Sequence, residues 1–204
     1  MNTRLKICGI KRVEDVDIIN QIKPDFIGFV FAQSKRRIDL KTAINLRKLI
    51  DSKIISVGVF VDEDIDNIVS AVNTKAIDIV QLHGNEDVKY IKRLKQKVDV
   101  KIIKTVIVDK NEGINIDYCN SDFLLIDSGY GSGKTFNWDV SIKTNKPLFV
   151  AGGINIDNIE KAYKRFNPYA FDLSTSVEVD GFKDFNKIRD IKLKLDNLNG
   201  EINE

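Results

Sequence analysis

Cysteine is scarce in this chain of 204 residues: there are two, Cys8 and Cys119. They lie far apart and outside any Cys-x-x-Cys pair. No disulfide framework or zinc site is implied, and a reducing, cytoplasmic setting is expected. Long apolar runs are also missing. Arg4 and Lys6 stand near the start with no extended hydrophobic stretch behind them, so neither a signal peptide nor a membrane-spanning helix is expected. An excess of one charge is lacking too. Lys and Arg number 32 against 30 Asp and Glu, a net charge of +2. That argues against a general nucleic-acid binder, although a local basic patch stays open. Histidine occurs once, at His83. With 43% apolar and 30% charged residues, the chain is too hydrophobic to be disordered and too charged to sit in a bilayer.

What is present is a regular alternation. Short β-branched or aromatic runs at 5–8, 26–31, 54–60, 77–82, 100–104, 123–126, 148–151 and 170–173 read as strands, several apolar on both faces. Between them, 12–22, 40–50, 65–72, 88–94, 156–163 and 185–195 carry apolar residues at helical spacing. Asp62 and Asn155 are the expected N-caps before the third and seventh helices. The stretches after Thr105 and Asp127 form helices poorly and predict short or irregular ones. Eight strands, each followed by a helix or its remnant, specify one α/β domain over 1–204, a (β/α)8 barrel. An open doubly wound sheet is the competing topology. The polar tail from about 197 is expected to fray.

In such a barrel the chemistry sits where strands end and loops begin. Gly152 and Gly153 follow the seventh strand and precede a helix, which suits a close approach to an anion, and Ser174 and Thr175 after the eighth add hydroxyls. These two loops predict a phosphate site; the plainer alternative is a tight turn with an ordinary cap. Cys8 shares strand parity with Arg4 and Lys6, and Asp127 with Phe123 and Leu125. A thiol and a carboxyl would then flank one pocket as base and acid. A free thiol titrates near 8.5, and Lys6 is placed to lower that value. The alternatives are a small buried hydrophobe for Cys8 and a turn cap for Asp127. Arg36 lies in a basic loop that is either a solvated surface or a carboxylate clamp. His83 either takes part in chemistry or steadies the loop after the fourth strand. The run Ser128-Gly129-Tyr130-Gly131-Ser132-Gly133-Lys134-Thr135 suggests a nucleotide P-loop, but Ser128 occupies a required glycine position and a weak helix start follows. A Gly-rich lid after Asp127 fits better.

These residues resemble a known family. Lys6-Ile7-Cys8-Gly9-Ile10, Gly28-Phe29-Val30-Phe31 with Ser34-Lys35-Arg36, Val80-Gln81-Leu82-His83-Gly84, Gly131-Ser132-Gly133-Lys134-Thr135-Phe136, Ala151-Gly152-Gly153-Ile154 and Asp172-Leu173-Ser174 with Val177-Glu178 are similar, in order, to motifs of phosphoribosylanthranilate isomerase. Ser176 stands where relatives usually carry glycine. The resemblance implies a cofactor-free and metal-free Amadori rearrangement in tryptophan biosynthesis. It implies Cys8 as general base, Asp127 as general acid and Arg36 as the partner of the anthranilate carboxylate. The expected partner is a small molecule bearing a phosphate and a carboxylate, bound by Arg36, His83, Gly152, Gly153, Ser174 and Thr175. No nucleic acid or membrane is expected, and monomer and homodimer both stay open. Two rivals remain. Another phosphate-binding barrel enzyme would use a Lys and Glu pair, for which Lys104 and Glu178 are available. A non-catalytic phosphate-binding module would need neither Cys8 nor Asp127.

Overall fold

The computed structural model describes residues 2–108, 114–115, 120–128, 138 and 142–201. Among these, eight parallel strands close into a barrel in chain order: β1 (Arg4–Cys8), β2 (Phe26–Val30), β3 (Ile55–Phe60), β4 (Ile79–Leu82), β5 (Lys101–Ile107), β6 (Phe123–Asp127), β7 (Leu148–Val150) and β8 (Ala170–Leu173). β1 pairs with β2 on one side and with β8 on the other, which seals the cylinder. The alternation thus resolves as the (β/α)8 barrel and not as the open sheet.

The doubly apolar strands follow from this closure. Residues of one parity, such as Leu5, Ile7, Ile27, Phe29, Leu124 and Ile126, form the layer between barrel and helices. Those of the other parity, including Phe26, Val57, Ile79, Ile103, Leu125 and Phe149, pack inside the barrel. At the N-terminal end Phe26, Phe123, Phe149 and Tyr169 meet in edge and tilted contacts with centroids 5.3–6.3 Å apart. Arg4 lays its guanidinium 4.4 Å over Tyr169. Each buried aromatic contributes roughly 1.5–3 kcal/mol by removal from water, and the plug leaves the C-terminal end for chemistry.

Six helices are described: α1 (Val13–Ile22), α2 (Leu40–Arg47), α3 (Ile65–Asn73), α4 (Val88–Lys95), α5 (Ile159–Phe166) and α6 (Phe185–Glu201). Asp39 and Asp87 accept from the amides of Thr42 and Tyr90 and cap α2 and α4. The cap of α3 is Asp64, not Asp62. Asp62 is turned out at φ 48° and accepts instead from the amide of Asn85 at 2.6 Å. Asn155 likewise stands ahead of α5 and closes a turn through the amides of Asp157 and Asn158. The expected helices after Thr105 and Asp127, the Gly129–Gly133 lid with Lys134, and Cys119 lie largely or wholly outside the described residues. Where the first of those stretches is described, Ile114–Asn115 is a short strand paired with Ile142–Lys143. Among the described residues no helix is long and apolar enough to cross a membrane.

The tail differs from expectation. Instead of fraying near 197, α6 runs to Glu201 with Leu198 and Asn199 buried. Asn199 accepts from Thr3 N at 2.8 Å and Tyr163 Oη at 3.1 Å, and donates to Thr3 O at 3.0 Å. This one amide ties the last helix to the first strand. Asn199→Ala should leave buried partners unsatisfied and cost about 1–3 kcal/mol. In a chain of this size that lowers the melting temperature by roughly 2–12 °C. Thermal unfolding followed by circular dichroism checks it, and an unchanged midpoint would refute the role.

Candidate active site

The C-terminal ends of the strands surround a cavity of about 1050 Å³ lined by Cys8, Arg36, His83, Asp127, Gly152, Gly153, Ser174 and Thr175 among others. All eight residues singled out from the sequence therefore face one space. Strand parity delivers Cys8 and Asp127. Continuing the inward face of β4 from Ile79 and Gln81 brings His83 to the same rim.

Room for Cys8 comes from Gly28 on the neighbouring strand: a Cβ there would lie 2.7 Å from Cys8 Sγ. Room beside Asp127 comes from Gly152, at φ 80°, where a Cβ would sit 2.9 Å from Asp127 Oδ1 and 2.6 Å from the amide nitrogen of Ser128. Both glycines act by permitting close approach. Ser174 donates its hydroxyl to Cys8 O at 3.1 Å and so clips the end of β8 to the end of β1.

Asp127 stands 3.4 Å from His83 Nε2 through its Oδ2. The other ring nitrogen, Nδ1, lies 3.1 Å from both Gln81 Nε2 and Thr105 Oγ1. These two contacts hold the plane of the ring, with Nε2 turned toward Asp127. Gln81 and Thr105 were not singled out from the sequence. The apolar run predicts an end to β5 at Lys104, whereas the strand continues to Ile107 and turns Thr105 into the barrel. The β-branched run Thr105-Val106-Ile107 was the available signal.

Lys104 points the other way. Its ammonium donates to Glu86 Oε2 at 2.7 Å and Gly84 O at 2.6 Å and holds the loop carrying His83. It is not among the residues lining the cavity. Glu178, its proposed partner in the rival chemistry, is engaged elsewhere. The two do not form a strand-end acid and base.

Beneath Cys8, Lys6 is fully enclosed and pairs with Asp172 Oδ2 at 2.7 Å, the side chains being 0% and 7% exposed. Burial pushes the Cys8 thiol above its ordinary value and the charge of Asp172 adds to that, while Lys6 and Lys183 oppose it. Lys6 therefore acts in the expected direction but does not prevail. Arg36 gives Nε to Glu178 Oε1 at 2.8 Å and Nη2 to Glu178 Oε2 at 2.7 Å, with Thr175 Oγ1 3.0 Å from Nη2. A two-bond grip on a further carboxylate through the guanidinium tip thus requires Thr175 to give way. Lys183 also reaches Glu178, at 2.7 Å, across the hairpin that pairs Glu178 with Lys183. Burial alone would raise the Glu178 carboxyl, but hydrogen bonds from Arg36 and Lys183, and their charges, hold it at about 2.

The chain matches the family model of N-(5'-phosphoribosyl)anthranilate (PRA) isomerase over residues 5–193. It is 50% identical over 190 residues to N-(5'-phosphoribosyl)anthranilate isomerase of Endomicrobium trichonymphae, covering 91% of this chain and 94% of the relative. Its fold superposes on phosphoribosyl anthranilate isomerase from Thermus thermophilus with a TM-score of 0.81 at 25% identity, covering 96% of this chain and 100% of the other. A phosphoribosyl anthranilate isomerase in complex with reduced 1-(o-carboxyphenylamino)-1-deoxyribulose 5-phosphate gives 0.77 at 26% identity, with 96% and 99% coverage.

The Glu178 geometry has a pH signature. With a folded value near 2 and an ordinary value of 4.5, its contribution is complete above the ordinary value and is lost as pH falls from about 4.5 to about 2. Wild type should exceed Glu178→Gln in stability at pH 7, and that advantage should shrink over this window by on the order of 2–3 kcal/mol. Urea unfolding of both chains at stepped pH reads the difference; a gap independent of pH would show that the carboxylate is not held by these cations.

Proposed function

Because the chain belongs to the N-(5'-phosphoribosyl)anthranilate isomerase family, we propose that Cys8 and Asp127 divide the proton transfers of its reaction between them. The activity is isomerisation of N-(5-phosphoribosyl)anthranilate to 1-(2-carboxyphenylamino)-1-deoxyribulose 5-phosphate, a step of tryptophan biosynthesis. The observation that carries the residue assignment is the placement of the thiol and the carboxyl on different walls of one cavity, at the ends of β1 and β6.

Asp127 gives a proton to the furanose ring oxygen. The bond from that oxygen to C1 breaks, and the anthranilate nitrogen lone pair forms the C1=N iminium. The Cys8 thiolate then removes the proton from C2, whose electron pair forms C1=C2 and returns charge to nitrogen. Proton gain at C1 and loss from the C2 hydroxyl give the ketone, so the net change is an isomerisation. His83 steadies Asp127 from its Nε2 side. The iminium is a cation beside Cys8, which favours the thiolate at the moment a base is needed. Gly152, Gly153 and Ser174 border the end of the cavity where the phosphate rests, and Arg36 faces the anthranilate carboxylate with Thr175 yielding its place. We place the reaction in the cytoplasm, where reducing conditions keep Cys8 a thiol.

Two substitutions separate these roles. Cys8→Ser keeps the size but places the hydroxyl far from ionisation, and turnover should fall about 10²–10⁴-fold. A serine variant with near wild-type turnover would remove Cys8 from the mechanism. Asp127→Asn keeps the shape but has no acidic proton, and turnover should drop on the order of 10²-fold or more. Calorimetric affinity for a reduced product analogue should change little. Turnover is read by forming the labile substrate in place and following loss of anthranilate-type fluorescence. Loss of binding together with turnover would make Asp127 structural, and loss of neither would move the acid elsewhere.

A further inference from the structure

Lys6 is the anomaly of the barrel interior. Its neighbours of the same parity on other strands, Val57, Ile79, Ile103 and Leu125, are apolar and fill the space. An ammonium there must be desolvated, and a buried ion pair offsets that cost only when its remaining hydrogen-bonding groups are satisfied. That condition is not met. Lys6 holds Asp172 Oδ2 at 2.7 Å, while Asp172 Oδ1 is enclosed without a hydrogen-bond partner among the described residues. Stability therefore does not account for the pair. Its position does: Lys6 lies two residues before Cys8 on the same face of β1, where its positive charge opposes the upward push of burial on the thiol, and Asp172 sits opposite Lys6 on β8. The charges that act on the sulfur are those of Lys6 from β1, Asp172 from β8, Lys183 from the hairpin after β8 and Arg36 from the loop after β2. Asp127 and His83 act on Asp172 from β6 and the loop after β4.

We propose that Lys6 is the positioning cation of the Cys8 base and that Asp172 sets how much of that positive charge the sulfur experiences. The inference rests on the assignment of Cys8 as base. When Cys8 takes the C2 proton, the thiolate becomes a thiol and Lys6 remains an ammonium, so no proton leaves the pair. Lys6 sets a fixed positive charge beneath the sulfur. Asp172 shares the same cation and restrains ionisation until a second positive charge, the substrate iminium, arrives.

The two partners consequently have opposite signs. In a Cys119→Ser chain, where Cys8 alone reports, the pH midpoint of alkylation by iodoacetamide reads thiolate formation without substrate. Lys6→Met should move that midpoint up by about one unit or more, a tenfold loss of thiolate at a given neutral pH. Asp172→Asn, which leaves Lys6 in place, should move it down. The base limb of the turnover profile should shift in the same directions. Lys6→Met leaves Asp172 charged and alone; if that chain does not fold, Lys6→Met with Asp172→Asn carries neither charge and should still lie above wild type. A midpoint that is unchanged or raised in Asp172→Asn, or unchanged when Lys6 is removed, overturns the inference. If Cys8→Ser is inactive while the midpoints stay fixed, the inference fails and the base assignment stands. If Cys8→Ser turns over normally, both fall.

Discussion

The two-residue period of a strand inside a closed barrel governs the rest of this molecule. Once β1 pairs with both β2 and β8, every inward residue must share one cylinder with the inward residues of seven other strands. A strand then has one end in the aromatic plug and the other in the cavity, and its intermediate residue has nowhere else to go. β1 shows all three consequences: Arg4 covers Tyr169, Lys6 meets Asp172, and Cys8 opens on the cavity. A slip of one residue would put Leu5 and Ile7 inside and turn the thiol toward the helices.

Charges at the open end are arranged in pairs that share a cation or an anion. Glu178 takes both Arg36 and Lys183, and Asp172 takes Lys6. Glu86 takes Lys104 together with the amides of Gly84 and Asp62, and so fixes the two loops after β3 and β4. Few of these groups are left to solvent. Of these cations Arg36 lines the cavity, with the direction of its guanidinium fixed by Glu178.

Much of this was legible in the residues themselves. The alternation gave the barrel, and strand parity with the strand-end rule placed Cys8, Asp127 and the glycines of the seventh loop. The misses share a cause: local chemistry was read where a distant partner decides. Lys104 looked like a strand end because a charge closed the apolar run, yet Glu86 lets β5 carry that charge on its outer face and continue to Thr105. The Glu178 contact of Arg36 is not announced by its own loop, because Glu178 is 142 residues away. Asp62 had the right residue type for a cap, but Asn85 from the next loop claims its carboxylate. The polar end of the chain looked free because the partner of Asn199 is Thr3, 196 residues earlier.

That last contact bears on how the chain acquires its shape. β1 is made first, and one of its two neighbours in the sheet, β8, is made nearly last; their pairing joins residues 166 apart, as Lys6 and Asp172 illustrate. Contacts of such separation carry a large loop-closure entropy and form slowly. During synthesis the early strands can assemble side by side, but the outer edge of β1 keeps unpaired backbone groups until β8 emerges. An open strand edge invites pairing with a second nascent chain. The amide of Asn199, gripping Thr3 just before that edge strand, then latches the closed ring once the final helix arrives.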